Sequence, residues 1–334
     1  MPSDIAAGGA APRTAVVFGG AGFIGTRLTS TLVEDGSYSR VIAADIKPAA
    51  RPVSGVDYIV CDVREPISLP GELPGLDIYN LAAVHTTPGH EDWEYFWTNV
   101  LGATHVCDFA SANDCRRIVF TSSISVYGPC EEPTDEDGPL RPNSAYGMSK
   151  LQAEKIHRSW RRAGEGRKLV VVRPAVIYGP GEGGNFTRLA KLLKRGRFVY
   201  PGRKDTIKAC GYVGELVRSI EFVRDLGLDE VTYNFAYPER YTTEDICRAF
   251  HEVAGYAMPK AVAPLPLMMG AGLGFEALGK VGLRTSMNRA RVLKLVNSTN
   301  VVPRVLPDLG YGYETDLRES LRRWKAESPS GEFV

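Results

Sequence analysis

Short apolar runs alternate with longer stretches of helical period along the first half of the chain. The runs are TAVVFG at 14–19, RVIAAD at 40–45, VDYIVCDV at 56–63, LDIYNLAA at 76–83, RRIVFTSS at 116–123 and KLVVVRPA at 168–175. They are continuously apolar rather than alternating, the pattern of strands covered by helices on both faces. Between them, helical spacing covers 23–35, 92–113 (Val100, Ala103, Thr104 and Cys107 on one side) and 144–163. Strand and helix in this order predict an α/β fold with a doubly wound parallel sheet of the Rossmann type. Beyond 178 the pattern loosens. Glycine and proline cluster at 179–184 and short elements follow. The expected organisation is a disordered lead over 1–13, a nucleotide-binding domain over 14–178 completed by parts of 205–237, and a smaller substrate-binding lobe over 179–330.

Composition narrows the setting. The chain has 334 residues, 44% hydrophobic and 24% charged, typical of a globular protein. Forty basic side chains against 39 acidic leave a formal net charge of +1, so the overall balance does not point to nucleic acid. The six cysteines form no Cys-x-x-Cys pair, and neither a zinc motif nor a disulfide scaffold is expected. The N-terminus lacks the basic and apolar regions of a secretory signal, which makes the cytoplasm the expected compartment. The apolar stretch at 261–283 is interrupted by Pro264, Pro266, Glu276 and Lys280, so no membrane span is expected there. It reads as a buried or amphipathic helix of the smaller lobe, with contact to a membrane surface as the alternative.

The stretch VVFGGAGFIG, residues 16–25, places Gly19, Gly22 and Gly25 in a Gly-x-x-Gly-x-x-Gly pattern between a strand and a helix. In that context Gly19 permits the tight turn, Gly22 opens the backbone to a pyrophosphate, and Gly25 lets the helix lie close to the sheet. The first turn, from Phe23 and Ile24, offers N–H groups and the positive end of the helix dipole. Asp45, at the end of the second strand and about 20 residues beyond Gly25, is placed for an adenosine ribose and favours NAD; Ile46 and Lys47 adjoin it. Asp62 and Val63, after the third strand, are placed to meet the adenine.

Tyr146 and Lys150 in SAYGMSK share one helix face at i and i+4. Upstream, Ser122 and Ser123 end a strand of the same sheet. A hydroxyl losing a proton while its carbon loses hydride needs a base, and a tyrosine with a pKa of about 10 needs help to act as one. An adjacent ammonium and a cationic nicotinamide both favour the phenolate, and a serine hydroxyl can hold the reacting oxygen.

With these residues in view, the chain resembles the extended short-chain dehydrogenase/reductases, specifically the NAD-dependent epimerase/dehydratase group acting on nucleotide sugars. The resemblance runs from residue 14 to about 325. It is carried by the glycine motif, Asp45, Asp62-Val63, NLAA at 80–83, TNVLGA at 98–103, TSSISVYG at 121–128, Tyr146-x-x-x-Lys150 and RPAVIYGPG at 173–181. It implies Ser123, Tyr146 and Lys150 as catalytic residues. It implies Leu81, Ala82, Ala83 and Pro174 against the cofactor, Asn99 as a structural asparagine, and Ser125 beside the substrate. Asn185 and the helix after it resemble the segment that contacts a nucleotide diphosphate. Arg188, Lys191, Arg203, Lys208 and Arg289 are candidates to pair that diphosphate, Lys208 foremost. His85 stands near the cofactor, as a loop hydrogen-bonding residue or a contact to nicotinamide or substrate. The resemblance also implies a homodimer paired through the helices at 92–113 and 144–163.

Departures from the group narrow the chemistry. Sugar dehydratases place an acidic pair after the active-site hydroxyl, where this chain has Ile124 and Ser125. The segment Lys208–Leu216 resembles a subgroup of 4-epimerases and 4-keto-sugar reductases. The expected activity is an NAD-dependent UDP-hexose 4-epimerase. A 4-keto-sugar reductase or dehydrogenase is the alternative, and a non-catalytic NAD-binding protein stands in a different class.

Overall fold

The computed structural model describes residues 11–86, 89–270 and 289–334. The chain runs β1 (Thr14–Phe18), α1 (Phe23–Glu34), β2 (Arg40–Asp45), β3 (Val56–Val60), β4 (Asp77–Asn80), α2 (Asp92–Phe96), a π-helical turn (Trp97–Leu101), α3 (Gly102–Ala112), β5 (Arg117–Thr121), β6 (Cys130–Thr134), α4 (Ala145–Arg162), β7 (Lys168–Pro174) and β8 (Val176–Tyr178). It continues through α5 (Asn185–Lys194), β9 (Tyr200–Pro201), β10 (Cys210–Tyr212), α6 (Val213–Asp225), β11 (Glu230–Phe235), α7 (Thr243–Ala254), β12 (Val262–Ala263), α8 (Arg289–Val296), β13 (Thr299–Val301), α9 (Val305–Asp308) and α10 (Leu317–Glu327).

Seven strands form one sheet in the order β11-β7-β5-β4-β1-β2-β3, and every pairing in it is parallel. β1 shows why the apolar runs are continuous. Ala15 and Val17 enter a core with Leu28 and Leu32 of α1 and Leu216 and Ile220 of α6. Val16 and Phe18 enter the opposite core with Val106 and Phe109 of α3 and Trp160 of α4. Successive strand residues point to opposite faces, so a strand covered on both sides is apolar at every position. A third core lies beyond the sheet, where Tyr178, Phe186, Phe250, Leu321 and Trp324 pack together.

Several elements differ from the sequence pattern. The third to fifth runs leave the ladder at Val60, Asn80 and Thr121, before their apolar letters end. Their last residues instead line the loops at the carboxyl edge of the sheet. β3 is the sheet's edge, and Val60 is 79% exposed there rather than covered. The helix expected over 92–113 is interrupted by the π turn. α8 gives way to β13, where Thr299 pairs with Cys130 of β6. Residues 271–283 of the apolar stretch lie outside the described residues.

α1 packs closely against the glycine turn. A Cβ on Gly25 would lie 2.2 Å from the Gly19 carbonyl oxygen and 2.7 Å from Gly20 Cα. Both neighbours are backbone, so α1 has to retreat. Gly25→Ala is expected to destabilise the fold by about 1–3 kcal/mol and to weaken NAD binding, read as a lower urea midpoint and a higher Kd.

Candidate active site

The carboxyl edge of the sheet gathers the predicted residues. Gly19 turns with φ +78 and donates its N–H to the Ala44 carbonyl at 2.8 Å. A side chain on it would meet Ala82 N at 2.9 Å, so the turn sits directly on the loop after β4. Gly20, not singled out by the motif, is equally constrained: a Cβ there would lie 2.7 Å from the Ala43 side chain. Gly22 caps α1 without a side-chain hydrogen bond, and the first turn has no acidic residue. The first N–H groups of α1, including those of Phe23, Ile24 and Gly25, therefore remain for a ligand.

Asp45 is oriented by backbone amides. Its carboxylate accepts from Ala21 N at 3.2 Å and Lys47 N at 3.1 Å. This joins the end of β2 to the glycine turn. Ile46 beside it is exposed. Asp62 is held by Arg64 through three side-chain contacts, the shortest 2.6 Å, and these interactions keep its pKa low. Arg64 in turn stacks on Trp97 at 4.7 Å. Val63 is buried against Gly102.

The π turn has a visible purpose. It aims the buried Asn99 at the loop after β4, where its carboxamide accepts from Val84 N at 2.9 Å and donates to Val84 O at 3.1 Å. The same amide donates to Ser149 Oγ at 2.9 Å. Asn99 thus ties Val84, in the loop after β4, to Ser149 of α4. Departures from α-helical geometry of this kind recur near functional sites. His85 follows on an exposed position. Partial desolvation lowers its pKa, a backbone interaction with Ala83 opposes this, and the Lys150 charge adds to the lowering.

The catalytic candidates come together from β5 and α4. Ser144 caps α4 by accepting from Gly147 N at 3.1 Å, which starts the helix so that Tyr146 and Lys150 share its inner face. Ser123, 7% exposed, accepts from Ser125 N and donates to Ser125 Oγ, both at 3.1 Å. Burial raises the Tyr146 pKa; the facing Ser123 hydroxyl pulls it down and Tyr95 pushes it up. Lys150 is 2% exposed, with its ammonium 4.7 Å above the Phe120 ring. Burial lowers its pKa to about 7, against the charge of Glu154, which raises it. Pro174 is buried at the end of β7.

Beneath Lys150 lies a buried ionic network centred on Glu154, which no sequence motif singled out. Arg173 grips Glu154 with two bonds of 2.9 and 2.8 Å, and Ser122 Oγ donates to the same carboxylate at 2.6 Å. Arg158 adds a bond of 3.1 Å. Burial alone would raise the Glu154 pKa, but Arg173, Ser122 and Arg158 together hold it below the usual carboxylate value. Arg173 also donates to Tyr127 Oη at 2.7 Å, and Tyr127 donates to Asn234 at 2.8 Å. The network ties α4, β5, β7 and β11. The available signal was spacing: Glu154 stands one turn beyond Lys150, on the face a buried helix gives to its core.

The substrate-side candidates divide. Asn185 and Arg188 are exposed at the start of α5, and Lys191 is exposed one turn on. The Glu182 carboxylate already accepts from Thr187 N at 3.0 Å at that helix end. Lys208 spends its ammonium on the carbonyls of Lys294 and Asn297, at 2.9 and 2.7 Å, closing the end of α8. Arg203 bonds Glu131 and Ser298. Arg289 begins α8, and its side chain lies outside the described residues.

Comparison with known proteins places this geometry. The model of the NAD dependent epimerase/dehydratase family matches residues 15–235. The chain belongs to that family. Among curated relatives, an N-acetyl-alpha-D-glucosaminyl-diphospho-ditrans,octacis-undecaprenol 4-epimerase of Escherichia coli O157:H7 is 29% identical over 312 residues, 92% of this chain and 93% of its own. A UDP-glucose 4-epimerase of Vibrio cholerae is 26% identical over 55% of this chain and 58% of its own. Two solved structures share the fold. MoeE5 in complex with UDP-glucuronic acid and NAD has a TM-score of 0.71 at 24% identity, covering 94% of this chain and 99% of that one. The Thermus thermophilus UDP-glucose 4-epimerase complex with NAD has a TM-score of 0.72 at 20% identity, covering 93% and 97%.

The chain is therefore an enzyme, and NAD is its cofactor. The residues fit it: an uncapped α1 N-terminus without a competing carboxylate, a turn with no room for side chains at Gly19 and Gly25, and Asp45 oriented beside them. When bound, NAD supplies hydride acceptance and return. Lys150 adds a stability signature that can be measured without turnover. Its folded pKa of about 7 lies below the 10.5 of a free lysine, so folding disfavours its charged form. The penalty is full below pH 7, shrinks as pH rises between 7 and 10.5, and vanishes above. In nucleotide-free protein, Lys150→Met is expected to raise Tm at pH 6, with the gain shrinking toward pH 10. A gain that grows with pH would contradict this assignment.

Proposed function

We propose that the enzyme interconverts the C4 epimers of a hexose carried on a diphosphate, with a UDP-hexose as the favoured substrate. The observation that supports this most is the junction of Ser123, Tyr146 and Lys150 with apolar Ile124 and small Ser125 following the serine. A hydroxyl, a phenol and an ammonium suit removal and return of a proton at O4. No carboxylate stands after Ser123 to drive loss of water.

In this reading Tyr146 takes the O4 proton as hydride leaves C4, and Ser123 holds the oxygen as it becomes a ketone. Lys150 favours the phenolate by its charge and orients the nicotinamide ribose. The 4-keto sugar turns in the site, hydride returns to its other face, and Tyr146 gives the proton back. Asn185 and Arg188 are the proposed diphosphate contacts, because both are exposed at the start of α5. Lys208 is a weaker candidate, since its ammonium already closes α8.

A second carrier, a polyprenyl diphosphate in place of UDP, is supported by the Escherichia coli relative that aligns over 92% of the chain. The cytoplasm is the proposed compartment, consistent with six free cysteines. No helix among the described residues is long and apolar enough to cross a membrane. A homodimer is proposed through α2–α3 and α4, where Trp93, Trp97 and Met148 are 59%, 40% and 43% exposed.

Tyr146→Phe is expected to lower kcat on a UDP-hexose by about 10²–10⁴-fold while leaving NAD binding intact. The wild type should show no net change at 340 nm during turnover. A stoichiometric change would identify the reductase instead. Trp97→Glu should shift the mass seen by light scattering from dimer to monomer.

A further inference from the structure

One corner of the molecule concentrates charge in a chain that is otherwise balanced. Residues 188–204, RLAKLLKRGRFVYPGRK, contain Arg188, Lys191, Lys194, Arg195, Arg197, Arg203 and Lys204 and no carboxylate, against a net charge of +1 for the whole chain. Glu332, Glu131 and Glu244 neutralise Lys194, Arg203 and Lys204. Arg188, Arg195, Arg197 and Lys260 are exposed and form no ion pair among the described residues.

The same corner exposes large apolar side chains. Leu192, Val199 and Val262 are 41%, 43% and 41% exposed, and Leu267 is 72% exposed. Pro264 and Pro266 are exposed with them. The backbone makes these segments contiguous. Arg197 donates its N–H to Leu192 O at 2.9 Å, folding the turn after α5 back on the helix. Tyr200 donates to Ala261 O at 3.0 Å and β9 pairs with β12 with Tyr200 opposite Val262, which brings the 195–199 turn beside the start of β12. The prolines and Leu267 follow directly on β12.

Two features have to be explained together. Unpaired cations alone would suit any polyanion, but nucleic acid would leave Val262 and Leu267 in water. An apolar protein partner would use those side chains but would have to desolvate the unpaired arginines. An anionic bilayer uses both, since lipid headgroups meet the cations while short apolar side chains enter the acyl boundary. The corner adjoins α5, whose first residues are the proposed diphosphate contacts.

We infer that this corner of the smaller lobe, formed by the end of α5, the 195–199 turn and β12 with Leu267, docks the enzyme on an anionic lipid bilayer. The inference rests on the lipid-carried substrate reading for its purpose, since a sugar diphosphate anchored in a membrane is reached only from the membrane surface. Its test does not depend on turnover.

Full-length protein is co-sedimented with vesicles of phosphatidylglycerol and phosphatidylethanolamine, and separately with vesicles of phosphatidylcholine. Binding is expected to the anionic vesicles, at least tenfold above the neutral ones, and to weaken as salt rises. Arg195→Glu with Arg197→Glu should lower it on the order of thirtyfold. Leu267→Asp should lower it as well, with an unchanged urea midpoint showing that the fold is intact. The double charge reversal should leave turnover of a soluble UDP-hexose unaltered. Equal binding to both kinds of vesicle, absence of binding, or full binding by the charge-reversed protein would overturn the inference. If vesicles bind while no hexose diphosphate is turned over, the epimerase reading fails and the docking surface stands.

Discussion

The bidentate pairing of Arg173 with Glu154 is the interaction on which the rest of the catalytic side depends. It is buried away from water, between β7 and the helix that carries Tyr146 and Lys150. A buried pair of this kind adds little net stability, because desolvation consumes most of the attraction. What it supplies is position. Ser122 joins the same carboxylate, so β5, α4 and β7 share one fixed point. The charge of the same carboxylate opposes the lowering of the Lys150 pKa by burial. His157 lies a turn deeper, stacked on Phe120 and kept neutral by burial, with its pKa pushed down to about 4.

The cofactor side follows a different logic, based on exclusion rather than attraction. Gly19, Gly20 and Gly25 are needed because backbone occupies the space a side chain would fill. The turn, the end of β2 and the loop after β4 are thereby pressed into one surface. Since all seven strands of the main sheet run parallel, their carboxyl ends reach that surface together. Residues as distant in sequence as Asp45, Ser123 and Pro174 therefore sit at one edge of the sheet.

The architecture was largely legible in the sequence, because strands covered on both faces are written as unbroken apolar runs. The glycine motif, Asp45 and Tyr146–Lys150 were legible because their spacing is dictated by a local turn or a single helix. Glu154 and Arg173 were not, since their meeting depends on how α4 lies across the sheet, which no local pattern encodes. β3 read as covered because its letters match those of inner strands, and only the strand order makes it an edge. Lys208 drew attention as the foremost candidate to pair the diphosphate. Its two carbonyl partners belong to a helix end far along the chain, which spacing does not reveal.

The π turn at Trp97–Leu101 has a consequence for how this chain can change. Such a turn is a helix holding one residue more than its hydrogen-bond ladder needs. Removing any one residue there would restore a regular helix, a local gain. It would also rotate every side chain on one side of the deletion by about 100° relative to the other. Asn99 could then no longer meet both backbone groups of Val84 and also Ser149. The segment is thus more tolerant of substitution than of a change in length, and an insertion or deletion that improves the helix would release the loop after β4 from α4.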